Sequence, residues 1–224
     1  MRSTFYDDDH QAFRETVREI VARHVAPHYA QWEADGLIDR ELYRTMGEAG
    51  LVGLAIPEEH GGMGVDDYRF RMIISEELSK VGAASVNATF GVHDDIVLAY
   101  LLDLCTPEQF ERWLPPMATG DSIAAIGMTE PDAGSDLQGI RTNARRDGDD
   151  WVLNGSKTFI TNGFHADKVL VFARTDPAAG SRGFTLFLVE NGMEGFERGR
   201  KLEKVGLHSQ DTAELFFRDV RVPD

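Results

Sequence analysis

Two short segments of this sequence combine small residues, hydroxyl groups and an aromatic ring in ways that suit ligand binding. The first, GMTEPDAGSD (residues 127–136), follows an apolar segment, Ile123 to Met128, that has the composition of a β-strand. Ala133 and Gly134 would allow the backbone to approach a ligand closely, and Ser135 adds a hydroxyl group. Amides in such a turn can hold a pyrophosphate. On composition alone, a plain surface loop with an Asx or Ser turn is an equally good interpretation.

The second segment is KTFITNG (residues 157–163). Phe159 and Thr161 are separated by one residue, so in a strand their side chains would share one face. An aromatic ring beside a hydroxyl donor suits a planar heterocycle, which the ring would stack on and the hydroxyl would bind. Taken alone, an ordinary strand whose aromatic ring faces the core is the favoured interpretation.

Other familiar catalytic or metal-binding patterns are missing from the sequence. Its seven histidines form no HExxH motif, and neither GxSxG nor GxGxxG occurs. The single cysteine, Cys105, excludes an internal disulfide and any multi-cysteine metal site. His24 and His28 are four residues apart, which suits a solvated helix face better than a metal site. Three acidic pairs are interpreted as charged helix faces: Asp66-Asp67, Glu76-Glu77 and Asp94-Asp95.

Composition places limits on the partners and the location. The formal net charge of −15 argues against nucleic acid or an anionic membrane as the main partner, and no apolar run is long enough to cross a bilayer. Residues 1–10 carry three consecutive acids and no apolar segment, so neither a secretory signal nor a basic transit peptide is expected. Together with the lone Cys105, these features favour a cytoplasmic location.

The elements that must position the two segments differ between the halves of the chain. The first half has helical periodicity, with Asp9 as a candidate N-cap and a break expected at Pro27. The last helix of this half is expected to stop at Pro115-Pro116. The predicted helices are Gln11 to Asp35, residues 39–50, Asp66 to Lys80, Gly91 to Asp103 and Pro107 to Leu114.

The second half has the composition of β-strands. Asn154-Gly155 lies between two β-prone segments and predicts a hairpin turn. The predicted strands are Ile123 to Met128, residues 151–153, residues 156–161, Val169 to Ala173, Phe184 to Glu190, Ala213 to Phe217 and Val220 to Val222. The sequence therefore predicts an α+β protein with a helical domain, residues 1–120, followed by a β domain, residues 121–224.

The two candidate segments, in this order and with these flanks, resemble the acyl-CoA dehydrogenase family. The similarity covers essentially the whole chain and includes AAIGMTEPDAGSDLQGIRTNA, VLVFARTD and GFTLFLVENGMEGFERGRKLEKVG. In the first half, HQAFRETVREIVARHVAPHYAQWE and AGLVGLAIPEEHGGMG look like the helices that begin the family's sequences. LNGSKTFITNG and GLHSQDTAELFF look most like the long-chain acyl-CoA dehydrogenase branch.

This resemblance implies a fold and a cofactor. The fold would be an all-helical N-terminal domain followed by a middle β domain of two packed sheets, and FAD would be the cofactor. In the family a C-terminal helical domain follows, and it carries the catalytic glutamate. That domain is expected to be absent here because the chain stops at VRVPD, so no catalytic base is assigned and no turnover is expected from this chain alone.

The resemblance also implies site residues. Met128 and Thr129 would face the flavin ring, Gly134 and Ser135 the phosphates, and Thr161 would bond near flavin N5. The implied cofactor contacts are Ile126, Gly127, Met128, Thr129, Gly134, Ser135, Phe159, Ile160 and Thr161. The implied acyl-CoA contacts are Ser135, Ser181 and Arg182.

The implied reaction is α,β-dehydrogenation of a fatty acyl-CoA thioester to the trans-2-enoyl-CoA, with hydride transfer to flavin N5. Electron-transferring flavoprotein would be the electron acceptor, and a homo-oligomer is expected, a tetramer if the C-terminal domain is supplied. Two alternatives stay open. The chain could be a non-catalytic or heteromeric partner subunit that binds flavin or acyl-CoA, or it could belong to a related acyl-CoA oxidase or flavin monooxygenase.

Overall fold

Two units with different secondary structure make up residues 5–224, the part of the chain that the computed structural model describes. The first unit extends to Ser122 and also includes Lys204–Gln210. The second contains Ile123–Glu203 and Asp211–Asp224. The expected α+β class, helical first and β second, is confirmed. Residues 1–4 of the acidic N-terminal segment lie outside the described residues.

The first unit is helical. Its helices are α1 (Asp8–Ile20), α2 (Tyr29–Asp35), α3 (Glu41–Glu48), α4 (Tyr68–Lys80), α5 (Ala84–Gly91), α6 (Leu98–Leu104) and α7 (Pro107–Ala118). Two π-helical segments interrupt this pattern: Val21–Val25 extends α1, and Val92–Val97 joins α5 to α6. The expected break at Pro27 is confirmed, because the residues between Val25 and Tyr29 form a turn.

The N-cap of α1 is Asp7 rather than the expected Asp9. The Asp7 backbone is extended, and its side chain accepts a hydrogen bond from the His10 amide at 3.1 Å. Asp9 lies inside the first turn, where its charge still favours the positive end of the helix dipole. Two adjacent acids can serve the same helix start, so composition could not choose between them.

The prediction that the last helix stops at Pro115-Pro116 is wrong, because α7 continues to Ala118. The two prolines lack an N–H group but their carbonyls still accept: Thr119 N donates to Pro115 O at 3.2 Å and Ser122 N to Pro116 O at 2.8 Å. Leu114 and Met117 are fully buried. Their packing offsets the hydrogen bonds that the prolines remove.

The interpretation of the acidic pairs as charged helix faces does not hold for one member of each of two pairs, Glu77 and Asp94. Glu77 is 3% exposed and accepts hydrogen bonds from Arg14 at 2.8 Å and Lys80 at 2.5 Å. Asp94 accepts a hydrogen bond from the Gly53 amide at 2.9 Å. A buried carboxylate requires charged or hydrogen-bonding partners. Because some of these partners lie in other segments of the chain, each acid connects its own helical segment to another segment.

The second unit is a seven-stranded sheet. Its strands are β1 (Ala124–Gly127), β2 (Asn143–Asp147), β3 (Asp150–Thr161), β4 (Lys168–Arg174), β5 (Phe184–Glu190), β6 (Phe196–Lys201) and β7 (Thr212–Pro223). The order is β1-β4-β2-β3-β7-β6, with β5 also paired to β4. The expected two layers therefore take the form of one curled, hydrogen-bonded sheet, in which Asn143 pairs with Arg174 to join β2 to β4.

The predicted hairpin at Asn154-Gly155 is wrong, because both residues lie inside the continuous strand β3. The tight turn is instead Gly148-Asp149, between the paired residues Asp147 and Asp150. A β-bulge at Asn154 explains the misleading dipeptide, since the pairing with β7 shifts between Leu153 and Gly155. A Cβ at Gly155 would lie 2.4 Å from Thr142 Oγ1, so close packing also requires glycine there.

The strands that flank the candidate segments contribute to the apolar core of the second unit. It consists of Ala125, Ala144, Leu153, Ile160, Ala166, Val169, Val171, Ala173, Phe187, Val189, Leu215, Phe217, Val220 and Val222. β1 is parallel to β4, and β3 pairs with β7, so each candidate segment begins or ends on a strand that this core anchors.

Candidate functional site

The segment Ile126 to Ser135 leaves the sheet at the end of β1 and turns back immediately. Glu130 N donates to Ala133 O at 2.8 Å and Ala133 N to Glu130 O at 3.1 Å, which makes Pro131-Asp132 a two-residue turn. Further along, Asp136 accepts a hydrogen bond from Gln138 N at 3.1 Å, so the Asx turn expected from composition is present at Asp136. The loop is thus ordered by its own hydrogen bonds.

The end of β3 presents Phe159 outward. This residue is 67% exposed, and its φ of +58° is unusual for a side chain with a ring. The pairing of β3 with β7 shifts between Lys157 and Ile160, so a bulge accompanies this conformation. Ile160 is buried and Thr161 is half-buried. The interpretation that the aromatic ring faces the core is wrong.

Direct hydrogen bonds connect the loop to β3. Thr158 N donates to Thr129 O at 2.9 Å, and Lys157 Nζ donates to Met128 O at 3.0 Å. The candidate residues Met128 and Thr129 are therefore tied to the strand that carries Phe159. This link runs between the end of β1 and the far end of β3, away from the predicted turn at Asn154-Gly155.

A buried ion pair lies behind this connection. Lys157 Nζ is 2.9 Å from Glu130 Oε1, and the two residues are 1% and 7% exposed. Glu130 also accepts hydrogen bonds from the amides of Arg141 at 2.6 Å and Thr142 at 3.0 Å. The local sequence does not predict this pair, because Glu130 lies in an acidic loop and Lys157 lies 27 positions further on, in β3.

The environment of Glu130 decides its chemical role. Burial alone would raise the pKa of Glu130, but the Arg141 amide, the Thr142 hydroxyl and amide, and Lys157 together lower it. A carboxylate held in its charged form by four donors is a poor general base, because accepting a proton would break these interactions. Burial lowers the pKa of Lys157, and Glu130 opposes that shift.

The lack of a side chain matters for a different reason at each of two glycines of the loop. A Cβ at Gly127 would lie 3.2 Å from Lys157 Cγ, so Gly127 makes room for the buried lysine stem. A Cβ at Gly134 would have no atom of the described chain within 4 Å, and Gly134 does not have a positive φ. The folded chain itself therefore gives no reason for glycine at Gly134, whereas a ligand that approaches the backbone would.

The next residue, Ser135, is exposed and its hydroxyl has no hydrogen-bond partner among residues 5–224. The same holds for the amides of Gly134 and Ser135. Three adjacent donors are thus open on the loop, a set that fits an anionic oxygen.

Ser181 and Arg182 are not brought to this loop by any described contact. They end a 3₁₀ turn, Pro177–Arg182, between β4 and β5, and both are exposed. Among the described residues Arg182 has no ion-pair partner. Their role in acyl-CoA binding stays a prediction.

Residues 5–224 offer neither a metal-binding cluster nor a membrane-spanning helix. Over that range no group of three or more His, Cys, Asp or Glu side chains is arranged to hold a metal ion. Within the same range no helix is both long enough and apolar enough to cross a bilayer.

The two regions of the chain match two domains of one known family. The acyl-CoA dehydrogenase N-terminal domain matches residues 7–121, and the acyl-CoA dehydrogenase middle domain matches residues 125–220. The chain therefore belongs to the acyl-CoA dehydrogenase family.

Individual relatives agree with this assignment. The mitochondrial long-chain specific acyl-CoA dehydrogenase of Sus scrofa is 50% identical over 223 residues, which cover 97% of this chain and 50% of the relative. The crystal structure of acyl-CoA dehydrogenase from Geobacillus kaustophilus has a TM-score of 0.95 and 47% identity, covering 99% of this chain and 58% of that one. A glutaryl-CoA dehydrogenase from Mycobacterium smegmatis, solved in complex with FADH2, has a TM-score of 0.89 and 33% identity, covering 97% and 54%. The chain thus spans about half the length of the relatives it matches.

Proposed function

We propose that this chain supplies the flavin and thioester contacts of an FAD-dependent acyl-CoA dehydrogenase. The observation that carries the proposal is the exposed Phe159, held at positive φ beside a loop whose Gly134 and Ser135 donors are open. Family membership supports it, and a similar structure is described as a complex with FADH2.

The residues present fit an FAD group. Open amides and a hydroxyl at Gly134 and Ser135 suit a pyrophosphate, which carries negative charge and accepts hydrogen bonds. An exposed aromatic ring at Phe159 suits a planar ring system, and Thr161 adds a hydroxyl two residues further on. When bound, FAD would supply the hydride acceptor for oxidation of the Cα–Cβ bond of the thioester.

The chain's own residues would bind, orient and exclude water. Met128 and Thr129 are held to β3 by their carbonyl oxygens, which leaves their side chains for the ligand. Ile126 and Gly127 belong to β1, and Ile160 belongs to β3, the two strands that flank these residues. Phe159 would shield one side of the flavin from water, which strengthens nearby electrostatic interactions. Ser135, Ser181 and Arg182 are proposed to contact the acyl-CoA, with the Arg182 guanidinium suited to a phosphate.

No residue of the candidate site is proposed as the base that removes the α-proton. Glu130 is committed to Lys157 and two amides, and its pKa is lowered. A general base must be able to accept the proton of the substrate without losing the interactions that stabilise its charged form. We therefore assign this chain the binding part of the reaction, and the base to residues other than those of this site.

A long-chain fatty acyl-CoA is the proposed substrate, on the basis of 50% identity to a long-chain specific relative. Electron-transferring flavoprotein is proposed as the acceptor and a homo-oligomer as the assembly. A cytoplasmic location is proposed because of the single Cys105, whereas the named relative is mitochondrial. Cell fractionation tests the proposed location, and sedimentation velocity tests the proposed homo-oligomer.

FAD titration of the purified protein tests the central proposal. Quenching of flavin fluorescence and a structured visible absorbance band are expected, followed by a change of that band when a long-chain acyl-CoA is added. A Phe159→Ala variant should bind FAD more weakly. Saturating FAD that leaves the free flavin spectrum unchanged would contradict the proposal. Bleaching of the band by acyl-CoA with this chain alone would contradict the assignment of the base elsewhere.

A further inference from the structure

We propose that Lys157 and Glu130 form a positioning pair that sets the spacing between the two flavin-binding segments. This inference rests on the proposed function, and it assigns both residues to the placement of the flavin contacts rather than to the chemistry. Neither side chain is open to a ligand, because both are buried. They act through the backbone atoms and neighbours that they hold.

The buried pair connects β3 with the segment that follows β1 and the segment that precedes β2. Lys157 belongs to β3 and bonds both Glu130 Oε1 and the carbonyl of Met128. The other oxygen of Glu130 accepts the Arg141 amide at 2.6 Å, just before β2 begins. Glu130 opens the turn that precedes Gly134, so these bonds fix the position at which that turn begins.

The same lysine sits next to the aromatic wall of the site. Lys157 is two residues before Phe159 and four before Thr161. It also marks the start of the bulge in which Phe159 takes its positive φ. One side chain therefore lies between the loop that offers Gly134 and Ser135 and the strand end that offers the ring and hydroxyl.

Two features indicate that the pair serves placement more than stability. A buried ion pair is often no more stabilising than apolar residues of the same volume, so its presence needs another explanation. Gly127 adds the second feature, since a Cβ there would lie 3.2 Å from Lys157 Cγ. The end of β1 is thus shaped to admit the lysine stem, which gives Gly127 a supporting role instead of a direct flavin contact.

Three variants of the full chain test this proposal: Lys157→Met, Glu130→Gln and the double variant. The matched control is Arg221→Met, which removes exposed ion pairs to Asp147 at 2.5 Å and Asp150 at 3.3 Å in the same unit. Folding is checked by far-UV circular dichroism and the melting temperature. FAD affinity and the shape and position of the visible band of bound flavin are then measured well below the melting temperature of each variant.

A positioning role predicts weaker FAD binding by roughly 10–100-fold, the usual loss when a group that orients ligand-binding residues is removed. It also predicts a shifted or less structured flavin band in Lys157→Met and in the double variant, with Arg221→Met unchanged. A purely structural role would lower the melting temperature and leave affinity and band unchanged, which would overturn the proposal. If Lys157→Met or Glu130→Gln does not fold, the double variant decides in the same way, because it removes both buried charges.

The outcome also separates this inference from the proposed function. If the wild-type chain binds no FAD, the proposed function fails. If the wild-type chain binds FAD and all three folded variants bind it equally well with the same spectrum, only the positioning role fails.

Discussion

Within residues 5–224, each unit contains one buried glutamate in an ion pair, and the two pairs are built differently. Glu77 in the helical unit is 3% exposed and is surrounded by side chains, with Arg14, Arg18 and Lys80 within 3.3 Å. Glu130 in the β unit is paired with one cation, Lys157, and the Arg141 and Thr142 amides also donate to it. Glu77 thus ties helix α4 to α1, whereas Glu130 fixes the path of a loop.

The two pairs differ in how many cations remain when one is removed. Glu77 keeps two cations if one is removed, so the helical pair is redundant. Glu130 has no second cation among the described residues, and its two amide donors, Arg141 and Thr142, lie just before β2, so Lys157 alone supplies its counter-charge. Redundant pairing suits a scaffold, and single pairing suits a place where the position of the backbone matters.

The largest effect is expected from Lys157→Met. Removing the lysine leaves Glu130 buried and charged, which should lower the free energy of unfolding by about 3–5 kcal/mol. Urea denaturation of the variant and of Arg221→Met provides the measurement, with less than about 1 kcal/mol expected for the exposed control. Equal losses in the two variants would show that burial of the pair is unimportant.

A smaller effect is expected from Arg14→Met in the helical unit. Glu77 would keep Lys80 at 2.5 Å and Arg18 at 3.3 Å, so about 1–3 kcal/mol should be lost. FAD affinity should not change, because Arg14 lies in the other unit. A loss as large as that of Lys157→Met would remove the distinction between redundant and single pairing.

A third glutamate adds a pH-dependent test within the helical unit. Glu33 accepts hydrogen bonds from Ser85 Oγ and Ser209 Oγ, both at 2.5 Å, and from the amides of His208 and Ser209 at 3.0 Å. Partial burial would raise the pKa of Glu33, but these four donors outweigh it and lower the pKa from 4.5 to about 2. The charged carboxylate of Glu33 therefore holds the segment Lys204–Gln210 in place.

The sign of the pH effect follows from this lowered pKa. A carboxyl group with a lower pKa in the folded state stabilises fully above its unfolded pKa and loses that contribution as the pH falls from 4.5 towards 2. Glu33→Gln should cost about 1–2 kcal/mol at neutral pH, and its difference from wild type should shrink in that acidic range. Melting temperatures of both proteins across the range give the measurement. A difference that is constant with pH would contradict the role of the charge.

The smallest effect on stability is expected from Phe159→Gly. The ring is exposed and the φ of +58° suits glycine, so the free energy of unfolding should change by less than about 1 kcal/mol in either direction. FAD affinity should nevertheless fall, because stacking is lost. Urea unfolding and flavin titration of the same sample separate the two effects. Unchanged FAD affinity would remove Phe159 from the site.

Local chemistry explains how far the sequence could predict the fold. Helical periodicity identified the region of α1 and α4, and β-branched runs identified β4 and β5 with nearly correct bounds. Dipeptide rules failed where packing opposed them. Asn154-Gly155 was taken as a turn but forms a bulge within β3, and Pro115-Pro116 was taken as a stop but lies inside α7.

The candidate site shows the same limit. Its residues were identified through a family resemblance, and the loop was correctly predicted to lie after a strand. Composition could not show that Phe159 points outward, since that depends on a bulge set by pairing with β7. The roles of Ser181 and Arg182 stay predictions, because no described contact joins them to the loop.

Neighbouring residues were enough to predict the order of the helical and β regions and the family to which the chain belongs. Apolar spacing decides helix or strand over a few positions, and the segment around residues 127–136 is a local motif. Tertiary structure alone decided which charges are buried together. Glu130 and Lys157 are 27 positions apart, and Arg14 and Glu77 are 63 apart. Such partners are chosen by where the folded chain excludes water, and no local pattern encodes that.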